Sequence, residues 1–290
     1  MKGLLLSFIL LFWGTFSVNA QNRSIRFLDD NWNIVLKKAE RTGKLIFVDC
    51  YTSWCGPCQT LAKEVFTLDS VADFFNRHFL CVKLDIEKGK GLELKKPFEI
   101  RAYPTLLFLD GKQQVVHRIV GCDGAEYLMK EAGKALDPQL NFRAMQERYM
   151  AGERATDFIL EYLNYLGHAY LEEEANAIAL QYLQGFKEEE LITSANWKII
   201  EKYIKDPLAI PLQVVMKRRK AFFDLAPEQE VINKLNLTCR SALLPFTRWR
   251  PDSEIVFDER YYDALVAYFK SVDYDLAPEC LANLYTAGFM

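Results

Sequence analysis

The chain is 290 residues long, 50% hydrophobic and 13% aromatic, with 36 Lys and Arg against 39 Asp and Glu, a formal charge of −3. Half the residues are available for burial and no positive surplus exists to neutralise phosphates, which excludes a disordered chain and a nucleic-acid-coating protein. The length allows two globular units at ~150 residues each, and seven cysteines, an odd number, leave at least one thiol outside any disulfide.

Lys2 precedes an apolar run from Leu4 to Trp13, followed by a small-residue exit at Val18-Asn19-Ala20. This pattern predicts a signal peptide over residues 1–20 with cleavage after Ala20. The run is short of the ~20 apolar residues of a membrane anchor, and with Cys50 as the first cysteine no lipid-modified thiol follows the cleavage point. The expected location is exported, in the periplasm.

Residues 25–137 alternate between strand and helix patterns. Asp30-Asn31 caps a predicted helix carrying Trp32, Val35, Leu36 and Ala39, which Thr42-Gly43 ends. Leu45-Ile46-Phe47-Val48 is a continuous apolar run of strand length, as expected for a strand covered on both faces. A helix is predicted after Cys58 through Leu61, Ala62, Val65 and Phe66, another over 71–79, then a central strand over 80–85. Two strands, 105–109 and 114–120, are expected to form an antiparallel hairpin through a tight Asp110-Gly111 turn, and a helix over 126–136 closes the unit.

From Asp137-Pro138 the texture is helical. Apolar residues at 155, 158, 159, 162, 163 and 166, and again at 175, 178, 179, 182, 183 and 186, predict two amphipathic helices broken near Gly167-His168 and packed antiparallel. Trp197, Ile200, Tyr203 and Ile204, and Tyr261, Leu265, Tyr268 and Phe269, extend the pattern. Asp-Leu-Ala-Pro-Glu occurs at 224–228 and at 275–279, read as shared helix-start chemistry with Pro in the first turn rather than as a repeat. The basic run Lys217-Arg218-Arg219-Lys220 reads as a solvated helix face. An all-α domain of six or more helices is expected over 138–290.

The sharpest feature is Trp54-Cys55-Gly56-Pro57-Cys58, between the apolar strand and a helix. At a helix start, free N–H groups and the positive end of the helix dipole favour a thiolate on the first cysteine, and the second, one turn on, is near enough for a reversible disulfide. Pro57 suits a first turn, where its missing N–H costs nothing. A zinc site needs two further ligands, whereas there is no second Cys-x-x-Cys and His78, His117 and His168 are scattered; no metal or cofactor is expected. A purely structural disulfide closing so short a loop removes little chain entropy.

The segment from Phe47 to Cys58 resembles the active-site segment of thioredoxins. Val82-Lys83-Leu84-Asp85 resembles the family's third strand, Tyr103-Pro104-Thr105 its cis-proline loop, and Gly121 the glycine after its last strand. The resemblance covers about residues 30–136 and implies a thioredoxin fold, a mixed sheet flanked by helices, over 21–137. It implies that Cys55 attacks and Cys58 resolves, with Asp49 as the buried carboxylate beneath the disulfide and Lys83 as its ion partner. The residues themselves agree on Asp49, since an acid ending an apolar strand is costly to bury and a raised pKa lets it accept the Cys58 proton. Trp54, Gly56, Pro57, Tyr103 and Pro104 are expected to border the substrate groove, with Tyr103 replacing the family's small aliphatic residue. Residues 65–75 resemble the longer exported thioredoxin-like domains of bacteria. Cys50 and Cys81 are read as inert core thiols, and Cys122, Cys239 and Cys280 stay open.

The expected activity is thiol-disulfide exchange, reducing disulfide-containing exported proteins, with re-reduction by a membrane electron donor. In the alternative reading, the helical domain recognises a partner and the thioredoxin-like part is mainly a scaffold.

Overall fold

The computed structural model describes residues 23–29, 31–248 and 256–288; the expected signal peptide and Asp30 lie outside them. Asn31 opens α1 (Trp32–Thr42), its side chain accepting from the Asn33 N–H, and Gly43 closes it at φ 67°. The run that follows is β1 (Leu45–Tyr51), its five central residues buried. Then come α2 (Gly56–Thr60), α3 (Asp69–His78), β2 (Phe79–Asp85), α4 (Gly89–Lys95), β3 (Thr105–Leu109), β4 (Val115–Val120) and α5 (Gly124–Leu136). The strands form one sheet in the order β2-β1-β3-β4, with β1 parallel to β2 and the other pairs antiparallel. β1 is therefore central, which explains its unbroken apolar run.

The two faces of the sheet carry separate cores. On one, Phe47, Phe66, Phe75, Phe79 and Phe108 meet ring to ring, with Phe47 and Phe75 centroids 4.7 Å apart. Each such side chain contributes about 1.5–3 kcal/mol by burial. On the other, Ile46, Val48, Leu107 and Leu109 pack under Trp32, Val35, Phe98 and Ile100. Phe27 and Leu28 lie beside β2 through a Phe27–Cys81 bridge, while residues 23–26 bond to Phe66 and to α3.

From residue 142 the chain forms ten helices among the described residues: α6 (Phe142–Met150), α7 (Thr156–His168), α8 (Glu172–Leu183), α9 (Glu188–Leu191), α10 (Ser194–Tyr203), α11 (Ile210–Lys217), α12 (Arg219–Phe223), α13 (Glu228–Thr247), α14 (Glu259–Ser271) and α15 (Ala277–Gly288). They share one apolar cluster, in which Ile159, Leu163, Leu166, Ala175 and Ala179 join α7 to α8. Among the described residues, no helix is long and apolar enough to cross a membrane.

The helices dock on β4. The Phe142 N–H donates to His117 Nδ1 at 3.2 Å, so the imidazole proton sits on Nε2, 3.0 Å from Glu131 of α5. Arg143 pairs with Asp110 at 2.8 Å.

Several local readings are corrected. The β3–β4 connection is not a two-residue turn. It spans Asp110–Gln114, with the Asp110 carboxylate accepting from the Lys112 and Gln114 N–H groups and Gln113 at φ 66°. Gly111 is there for closeness, since a Cβ would lie 2.6 Å from the Glu40 backbone nitrogen. Gly167 lies inside α7, and the break comes at Tyr170, φ 58°. The helix after Cys58 is not uniform: α2 gives way to a π-helical turn over Leu61–Val65.

The two Asp-Leu-Ala-Pro-Glu copies start their helices differently, Pro227 standing just outside α13 and Pro278 inside the first turn of α15. The basic run is not one solvated face. It straddles the α11–α12 break, Lys217 and Arg218 pair with Glu188 at 2.9 Å, and Arg219 donates to the Asp273 carbonyl.

Candidate active site

The carboxyl end of β1 and the start of α2 place the cysteines. Cys55 is the N-cap of α2 and is joined to Cys58 by a disulfide, S–S 2.04 Å. Cys55 Sγ also accepts the Cys58 N–H at 3.1 Å, so the sulfur takes the place that a Ser or Asp oxygen fills at other helix starts. Gly56 and Pro57 form the first turn, and a Cβ at Gly56 would meet nothing within 4 Å, leaving this side of the disulfide open.

Asp49 lies on β1, paired across the sheet with Lys83 of β2 and Leu106 of β3, and is 1% exposed. Burial pushes its pKa up from 3.8 to about 6 against the pull of Lys83, whose ammonium lies 3.6 Å from Oδ2. Among the described residues Asp49 Oδ1 has no hydrogen-bond partner, nor has the buried hydroxyl of Thr52. Lys83 is held by the rings of Phe27, Tyr51 and Phe66, at 4.8, 5.5 and 5.6 Å from its nitrogen to the centroids. This lone lysine in a strand thus faces the buried acid through an aromatic collar.

The rim is aromatic. Trp54, 65% exposed, stands edge-on to Tyr103 at 5.9 Å and donates Nε1–H to Glu87 at 2.9 Å. The Lys95 ammonium lies 5.7 Å from the Tyr103 ring. The Tyr103-Pro104 peptide bond is cis, and the Pro104 carbonyl accepts the N–H of Gly121, which sits at φ 72° where a side chain would be strained. Glu87 and Lys95 escaped the sequence reading, because single charged residues in a lysine- and glutamate-rich stretch carry no pattern.

The other five cysteines are free. Burial raises the thiol pKa well above 9 at Cys50, to about 12 at Cys81 and Cys239, and to about 11 at Cys122 and Cys280. Cys50, Cys81, Cys239 and Cys280 are buried, and Cys122 donates to the Gly124 carbonyl. Among the described residues no group of His, Cys, Asp or Glu could hold a metal ion.

A cysteine pair at the start of a helix that follows a strand bearing a buried acid, with Trp54 meeting Tyr103 of a cis-proline loop on the same mixed sheet, defines a thiol-disulfide oxidoreductase of thioredoxin fold. A family model described as thioredoxin-like matches residues 28–111. Thioredoxin H-type of Fagopyrum esculentum is 36% identical over 101 residues, which cover 35% of this chain and 81% of that protein. Thioredoxin H-type 1 of Nicotiana tabacum is 34% identical over 100 residues, 33% of this chain and 71% of that one. Among solved structures, a Bacteroides thetaiotaomicron protein described as a disulphide-isomerase is 47% identical, covering 41% of this chain and 98% of that one at a TM-score of 0.38. The chain belongs to the thioredoxin-like superfamily.

Proposed function

We propose that the chain works as a reductase of disulfides in exported proteins, in the periplasm, after removal of residues 1–20. The Cys55 thiolate attacks a substrate disulfide. One substrate thiolate leaves, and a mixed disulfide joins Cys55 to the other sulfur. Asp49 takes the Cys58 proton, the Cys58 thiolate attacks Cys55 Sγ, and the second substrate thiol is released. Two electrons have passed to the substrate, and the enzyme is left with the Cys55–Cys58 disulfide, which a membrane electron donor reduces.

The observation that carries this reading is the Cys55–Cys58 disulfide at the start of α2, which follows the strand whose buried Asp49 has a pKa raised to about 6. A pure scaffold has no physical need for such a group. The Gly-Pro pair between the cysteines resembles reducing members at ~−270 mV, and the histidine of oxidising relatives is absent from that position. Equilibration of the pair against glutathione tests the direction: a potential near ~−120 mV sinks the reductase assignment. A Cys58→Ala variant carrying the full leader is expected to trap exported proteins as mixed disulfides on Cys55; an empty trap counts against exchange with proteins.

A further inference from the structure

The segment 96–104 between α4 and β3 ends in the cis Tyr103-Pro104 bond and sets Tyr103 against Trp54. A cation fixes its course. Arg118 of β4, 6% exposed, donates Nη2–H to the carbonyls of Phe98 at 2.6 Å and Glu99 at 2.8 Å. Among the described residues this guanidinium has no carboxylate partner, and its Nε is unpaired. The cost of burying its charge is met by the segment's own carbonyls. Glu99 sits at φ 47°, a conformation that a residue with a side chain keeps only where its surroundings enforce it.

The residue that holds the segment is itself held from the helical region. Tyr165 of α7 accepts the Arg118 N–H at 2.9 Å and donates its hydroxyl to the Arg118 carbonyl at 2.8 Å. The Tyr165 ring stacks on Phe142 at 4.8 Å and lies 5.3 Å from His117. A second, exposed link joins Glu173 of α8 to Arg101 of the same segment at 3.4 Å.

We propose that the helical region is part of the substrate-binding apparatus. Through Tyr165 and Arg118 it holds segment 96–104 in the course against which an extended, disulfide-bearing protein segment pairs. Arg118 is then a positioning residue: it touches no reacting atom, and it sets recognition of protein disulfides without setting the chemistry at Cys55. Small disulfides reach the sulfur without main-chain pairing and are indifferent to it. The choice of substrate rests on the reductase reading; the tether does not.

Tyr165→Phe removes the hydroxyl alone, and Arg118→Lys keeps the charge but loses the planar fork. Each full-length variant is compared with wild type for reduction of insulin and of 5,5′-dithiobis(2-nitrobenzoate), with amide hydrogen exchange over 96–104 followed in parallel. The expected result is a KM for insulin raised about tenfold by Arg118→Lys and about threefold by Tyr165→Phe, with kcat and the small-disulfide rate unchanged. The amides of Glu99 and Ile100 are expected to exchange about tenfold faster in both variants. An unchanged insulin KM in both overturns the proposal, and so does an equal loss on both disulfides, which marks a general structural role. If the wild type reduces the small disulfide but not insulin, the reductase reading fails, and amide exchange then decides the tether: unchanged rates overturn it.

Discussion

Residues 23–137 bury three charged side chains, Asp49, Arg118 and Glu131, whereas the described residues from 138 onward bury none. Burying a charge costs free energy that apolar packing of the same volume does not, so each retained case calls for a local reason. Asp49 is kept near its point of titration, Arg118 holds two carbonyls, and Glu131 joins His117 and Lys134 at the seam between the regions. Burial alone would raise the Glu131 pKa, but the hydrogen bonds and charges of His117 and Lys134 bring it to about 2. The helical region instead fills its interior with Ile, Leu, Tyr and Phe and keeps its ion pairs outside. The same residue type behaves differently according to place. Two cysteines at a strand-helix junction form the redox pair, and five in apolar surroundings are held as thiols.

That contrast is broken most directly by labelling. After mild reduction at pH 7.5, iodoacetamide is expected to modify Cys55 at least ~10³-fold faster than Cys50, Cys81, Cys122, Cys239 or Cys280, as the raised pKa values of these five dictate; mass spectrometry reads it, and comparable labelling of Cys122 would erase the distinction. Next in size is Asp49→Asn, expected to slow release of the mixed disulfide by about 10²-fold at pH 7, the lower end for a lost general base. In wild type this rate should rise as pH increases through about 6, and the variant should lose that limb.

The same change affects stability with a definite sign. A carboxyl whose pKa is raised on folding binds its proton more tightly in the native state, so stability falls as pH rises from 3.8 through about 6. Asp49→Asn is therefore expected to be more stable than wild type at pH 7, by up to about 3 kcal/mol; urea unfolding at pH 4 and 7 checks it.

Leu163→Ala, at a fully buried position of the helical cluster, is expected to cost about 3 kcal/mol in unfolding while leaving small-disulfide exchange intact. Loss of that exchange in a folded variant would show that the division of labour is wrong. The smallest effect is expected from Glu87→Gln, which weakens the bond to the Trp54 indole. A change in insulin KM of about twofold, with kcat unaltered, corresponds to an exposed hydrogen bond.

Strands and cysteine chemistry were legible in the sequence because their causes are local. A central strand must be apolar on both faces, and a pair spaced one turn apart beside a proline announces a helix start. Asp49 was legible for the same reason, as an acid closing an apolar run. α4 was missed because Gly89–Lys95 buries only Gly91 and Leu94 and has no apolar stripe. In α6, Phe142, Met145 and Tyr149 keep helical spacing, but a helix of nine residues is too short for its period to stand out from the sequence. The ion pairs of the 217–220 run and the grip of Arg118 on Phe98 and Glu99 join positions far apart in the chain, and no spacing encodes them. Lys83 was tied to Asp49 by the resemblance alone, since no spacing along the chain joins positions 49 and 83; the strand register places the two side by side.

The hydroxyl of Tyr165 has a further effect at the border of the sheet. An open edge offers unpaired backbone groups to any extended chain, its own copies included. On the β2 side Phe27 and Leu28 lie in that place, through the Phe27–Cys81 bridge. At β4 the outward N–H and C=O of Arg118 are both occupied by a single phenol. It stands in for a neighbouring strand without being one, and so closes the site at which two molecules would otherwise begin to zip together.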